Sequence, residues 1–128
     1  MTILEVMGRN AGWVAAASAL ARRAVDDAPH LIYVPERPVV AAALLQRVQQ
    51  VVDKHGYAVL VVTETVRDEE NRAWARTAGD DGFGHPRLVG AAERMCELIG
   101  EKLRLKARFN KPGSLQRSAG WCVSAVDW

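Results

Sequence analysis

The run YAVLVVTE at residues 57–64 is apolar on both of its alternating faces until its last two residues. Successive side chains of a strand point to opposite faces of a sheet, so a strand written this way must be covered above and below. That requirement points to the centre of a parallel sheet with helices on both sides. Two shorter runs repeat the theme. ILEVM at 3–7 stops at Gly8, and LIYVPE at 31–36 is ended by Pro35. Between them Trp13, Ala16, Ala17, Leu20 and Ala24 recur at helical spacing, which predicts a helix from Asn10 to about Val25. After Pro38, Val40, Leu44, Val48, Val51 and Val52 share one helical face, and Gly56 supplies a C-terminal stop. Leu88, Ala92, Met95 and Ile99, flanked by Val89 and Cys96, predict a third helix starting near Pro86. Leu103, Leu105, Ala107 and Phe109 alternate with basic residues, as a strand with one wet face would. The charged, glycine-punctuated stretch 65–85 reads as an exposed excursion or a small hairpin. Strands alternating with helices in this order argue for one α/β domain over residues 1–128, with a mostly parallel sheet and right-handed crossovers.

Bulk properties narrow the function. With 128 residues, 49% of them hydrophobic, the chain is large enough to bury a real core. Its net charge of +2 gives a general nucleic-acid role little electrostatic support. No apolar run is long enough to span a bilayer and no signal-peptide pattern is seen, so a cytoplasmic location without membrane partners is expected. Cys96 and Cys122 form no C-x-x-C pair, and Cys96, set in an apolar stripe, reads as a reduced core residue. His30, His55 and His85 lack ligand spacing, so no metal site is expected.

In open α/β sheets ligands sit beyond the carboxyl ends of the strands. Three of those ends carry unusual residues here: Gly8, Arg9, Asn10 and Gly12 after the first strand, Glu36 after the second, and Gln116, Arg117 and Ser118 after the last. Glycine lets a ligand approach the backbone, arginine matches phosphate with two prongs, and a carboxylate accepts sugar hydroxyls. Together they suggest a pocket for a phosphorylated polyol. Each has a plainer reading as well: a tight turn for the glycines, a solvated charge for Arg9, an ordinary loop carboxylate for Glu36. The glycines match neither the dinucleotide fingerprint nor a P-loop, and nothing resembles a nucleophile elbow.

The blocks EVMGRNAGW, PHLIYVPERP, YAVLVVTETVRDE, DDGFGHPRLVGAAERMCELI and KARFNKPGSLQRSA, followed by VSAVDW, occur in one order at sensible spacing. That series resembles the carboxyl-side half of the phosphofructokinase family, nearer its pyrophosphate-dependent branch. The resemblance implies a three-layer Rossmann-like domain that binds fructose 6-phosphate. It implies that Met7, Gly8 and Arg9 approach the sugar, that Glu36 accepts from its hydroxyls, and that Arg117 sits near the transferring phosphate. It also implies that Arg108 reaches the 6-phosphate across a subunit interface, which calls for a homo-oligomer.

The departures bear on mechanism. Ser114 stands where the family commonly has His or Tyr, and Thr65 replaces a glycine in the usual Ser-Glu-Gly turn. The family's glycine-rich donor loop and its Thr-Ile-Asp-Asn-Asp block, with the catalytic aspartate, have no match in this chain. Phosphoryl transfer is mostly positioning and charge stabilisation, so no catalytic residue is expected here. The complete enzyme would need magnesium and pyrophosphate or ATP, held by a separate donor domain or chain. The alternative expectation is a degenerate assembly or regulatory module that no longer binds sugar phosphate.

Overall fold

A computed structural model describes residues 1–80, 86–113 and 115–118. The sheet grows outward from the strand that the sequence marks most clearly. β1 (Thr2–Val6), β2 (Leu31–Tyr33), β3 (Val59–Thr63) and β6 (Arg108–Asn110) run parallel in the order β2-β3-β1-β6. Register pairs Ile3 with Leu60 and Val6 with Thr63 across the central pair. Leu60, Val61, Val62 and Thr63 are all buried, which is the two-sided cover their composition demands.

Two helices and one short helical segment form the outer layers. α2 (Ala41–His55) and α3 (Ala91–Leu103) pack Leu44, Val48, Met95 and Ile99 onto Ile3, Leu60 and Val62 on one face. α1 (Trp13–Ala17) sets Ala15 against Val6 and Val61 on the other. The result is the three-layer α/β arrangement that was expected. Gly56 ends α2 as read from the sequence, with φ +76 and its N–H donating to the Val52 carbonyl at 2.7 Å.

Three expectations need correction. The helix from Asn10 to Val25 is only five residues long and passes into a 3-10 turn, Ser18–Ala21. The residues that recur at helical spacing lie on the solvent side: Trp13 is 81% exposed and Leu20 87%, while Ala15 faces the sheet. Alanine-rich sequence fixes which residues share a face but not which face is covered. The last strand begins only at Arg108, since α3 runs on to Leu103. Finally, Pro86 opens a strand, not a helix. β4 (Arg76–Asp80) and β5 (Pro86–Val89) make an antiparallel hairpin, one of the two forms expected for the excursion, and α3 starts after Gly90. A proline is tolerated at the first residue of an edge strand, which is where Pro86 sits.

Cys96 lies half-buried beside the main core as a free thiol, pushed up to about 11, chiefly by burial. Among the described residues no helix is long and apolar enough to cross a membrane.

Candidate functional site

β1 and β3 are neighbours, yet the chain leaves them towards opposite faces: β1 runs into α1, and β3 leads by way of the hairpin to α3. Such a parting opens a crevice at the carboxyl ends of the two strands. A cleft of about 390 Å³ lies there. Glu5, Arg9 and Asn10 line it from β1 and its loop; Glu64, Thr65 and Arg67 line it from the loop after β3. Gly90 at the head of α3 and Lys111 after β6 complete the wall.

The loop after β1 explains its own residues. Gly8 has φ +150, and a Cβ on it would stand 2.9 Å from the Ala11 carbonyl oxygen, so only glycine fits. The Thr65 hydroxyl donates to the Gly8 carbonyl at 2.8 Å, and the Glu64 N–H donates to the Val6 carbonyl at 3.2 Å. Thr65, the departure from the family's glycine, therefore ties the two loops together. The side-chain carbonyl of Gln116, in α4 (Leu115–Ser118), accepts from the Met7 N–H at 3.0 Å. That bond draws α4, and with it the backbone of Arg117, to the same end of the sheet.

Charge in the cleft is mostly committed to neighbours. The Glu5 side chain is only 10% exposed, and its Oε2 accepts from the Ala92 N–H at 2.8 Å, in the first turn of α3. Lys111 Nζ is 3.8 Å from Glu5 and 3.7 Å from Glu93. Arg67 donates to the Asn71 carbonyl at 2.8 Å. Arg9 is exposed and makes no ion pair among the described residues, so its guanidinium is the cation most available to an anion.

The structure brings some of the sequence-predicted residues together and separates others. Met7, Gly8, Arg9 and the backbone of Arg117 converge at the carboxyl ends of the strands. Glu36 lies behind that loop: its Oε1 accepts from the Gly12 N–H at 2.8 Å. A Cβ on Gly12 would overlap Val34 and come within 2.9 Å of Glu36 Oε2, which is why that position is a glycine. Arg108 pairs in register with Thr2, at the amino end of β1 and thus at the far end of the sheet from Arg9. Ser114 lies outside the described residues. Sequence reasoning passed over Glu5, Glu64, Arg67 and Lys111 as site residues. Glu5 did carry a signal, as a carboxylate inside an otherwise apolar strand.

A larger cleft of about 610 Å³ lies between the excursion and the helices, with Asp68, Glu70, Arg72, Trp74, Arg76 and Arg94 in its walls. Its charges answer one another. Arg72 meets Asp68 and Glu70 at 2.9 Å, and Arg94 meets Glu97 at 3.1 Å. The smaller cleft at the strand ends is the better candidate. Among the described residues no three His, Cys, Asp or Glu converge as a metal site.

A sequence model of the phosphofructokinase family matches residues 1–127. The chain belongs to the phosphofructokinase family. It is 41% identical over 127 residues to the pyrophosphate–fructose 6-phosphate 1-phosphotransferase of Xanthomonas campestris pv. campestris, covering 98% of this chain and 30% of that protein. The enzyme of the same name from Halomonas elongata is 42% identical over 125 residues, with the same coverage. Among solved structures, the pyrophosphate-dependent phosphofructokinase of Marinobacter aquaeolei superposes with a TM-score of 0.73 at 36% identity, over 92% of this chain and 26% of that one. The sequence leans to the pyrophosphate-dependent branch, and the chain spans under a third of the length of these relatives.

Proposed function

We propose that this chain is the fructose 6-phosphate-binding portion of a phosphofructokinase and does not catalyse phosphoryl transfer by itself. The observation that carries the reading is the cleft where β1 and β3 part, with the unpaired Arg9 at its rim. Backbone at Met7 and Gly8 would approach the sugar, and Arg9 with Arg117 would meet its phosphate. Glu64, which lines the cleft, would accept from a sugar hydroxyl. Glu36 would serve indirectly, by holding Gly12 and so the shape of the loop. Magnesium and the pyrophosphate or ATP donor would belong to other residues of a complete enzyme, acting in the cytoplasm in glycolysis.

A second reading, an assembly module without sugar binding, is favoured by one observation. Trp13, Leu20 and Val25 are large apolar side chains left exposed, Val25 at 96%.

Thermal unfolding with fructose 6-phosphate, fructose or inorganic phosphate separates the two. At ~100 times its dissociation constant a ligand adds roughly 2.7 kcal/mol, worth several degrees in a domain of this size. The proposal expects that rise with fructose 6-phosphate alone. A folded chain whose Tm none of the three moves would overturn it in favour of the assembly reading.

A further inference from the structure

Away from the strand-end cleft, a cavity of about 310 Å³ lies between β2, the outermost strand among the described residues, and α2. Its walls are apolar: Ile32 and Val34 from β2 and the loop after it, Val39 and Val40 before α2, and Leu44 within α2. Arg37 and Arg47 stand at its sides, both exposed and neither in an ion pair among the described residues. Among the described residues no aspartate or glutamate lines it. Tyr33 also lines it, while its hydroxyl is buried away from solvent and has no hydrogen-bond partner among the described residues. A buried hydroxyl without a partner is costly, and most such groups in folded proteins are satisfied.

These features are independent of one another and agree on one kind of occupant. An apolar enclosure of this volume suits a small organic body, and a few convergent polar groups set its orientation. Two guanidinium groups with no neutralising carboxylate select an anionic head. We propose that the β2–α2 cavity is a second binding site, separate from the sugar-phosphate cleft, for a small organic anion with an apolar body and a phosphate or carboxylate head.

Phenyl phosphate is a suitable probe, titrated calorimetrically into the full chain beside inorganic phosphate, phenylacetate and phenol. Saturable binding of phenyl phosphate or phenylacetate, tighter than that of phosphate or phenol alone, is expected. Loss of one charge-assisted bond weakens binding by about tenfold or more, so Arg37→Gln and Arg47→Gln should each show that loss. Tyr33→Phe removes a buried, unpartnered hydroxyl and should leave the probe's affinity unchanged. Arg9→Gln should leave the probe's affinity unchanged. The proposal is overturned if neither organic anion saturates, if phenol binds as tightly as phenyl phosphate, or if Arg9→Gln costs as much as Arg47→Gln. The last result would put the probe in the sugar-phosphate cleft.

Discussion

Gly12 and Glu36 show how a residue singled out for chemistry can act one step away from it. The Glu36 carboxylate holds the Gly12 N–H, and the space where a Gly12 side chain would sit is filled by Val34. Gly12→Ala is therefore expected to lower stability by roughly 1–3 kcal/mol through overpacking, read as a lower urea midpoint. Glu36→Ala should lower the Tm and affect fructose 6-phosphate only slightly, while Glu64→Ala should weaken the sugar with little change in Tm. The reverse pattern would return the direct role to Glu36. At the other end of the sheet, His30 Nδ1 accepts from the Val59 N–H at 3.0 Å, which requires that nitrogen to be unprotonated. Burial, with His55 and Arg22 nearby, holds the His30 pKa below the usual histidine value, although hydrogen bonding with the Val59 backbone and, less, Asp26 oppose this. The unfolded chain thus binds the proton more readily, so stability is fully present above about pH 6.5 and is lost as pH falls below it. His30→Asn, which keeps an acceptor but cannot titrate, should flatten that part of a Tm-against-pH profile; an unchanged slope would assign it to other groups.

The elements differ in how openly their sequence declares them. β3, α2 and α3 were legible because their apolar residues follow one period over enough length to exclude another. α1 was not: in an alanine-rich segment every face looks equally fit for burial, and only tertiary contact selects Ala15 over Ala16. The hairpin was half-legible, since Pro86 and the glycines before α3 mark turns without saying where pairing resumes. The site was legible where one loop holds it, at Met7, Gly8 and Arg9. Lys111, Glu64 and Glu5 reach the cleft from three separate strands, and their meeting depends on sheet order, which periodicity does not give. Glu5 also makes a prediction for α3. Its carboxylate takes the place of a capping side chain at Ala92, because Gly90 has none. Glu5→Ala is expected to cost ~1–2 kcal/mol in chemical denaturation and Glu5→Gln clearly less, since the amide keeps an acceptor. Equal losses would mean that the negative charge, not the hydrogen bond, does the work.

For the molecule as a whole, the placement of Arg108 matters most. It pairs with Thr2, and the length of β1 puts about 13 Å between the two ends of the sheet before the loop to Arg9 begins. One copy cannot close both arginines on a single phosphate. If Arg108 serves the sugar phosphate, a second copy must present it, and affinity for fructose 6-phosphate should rise with chain concentration. Arg108→Gln should remove that dependence without changing the Tm, since the residue is exposed. A concentration-independent affinity would leave Arg108 with no share in the site. The sheet itself also limits how copies can meet. Among the described residues its inner strands are five residues long, but its two outer strands, β2 and β6, have three each. So short an edge gives an incoming backbone few hydrogen bonds to make. Stacking of chains edge to edge into fibrils is disfavoured, and a concentrated preparation should lose its order through exposed helix faces, as amorphous precipitate, before it does so through the sheet.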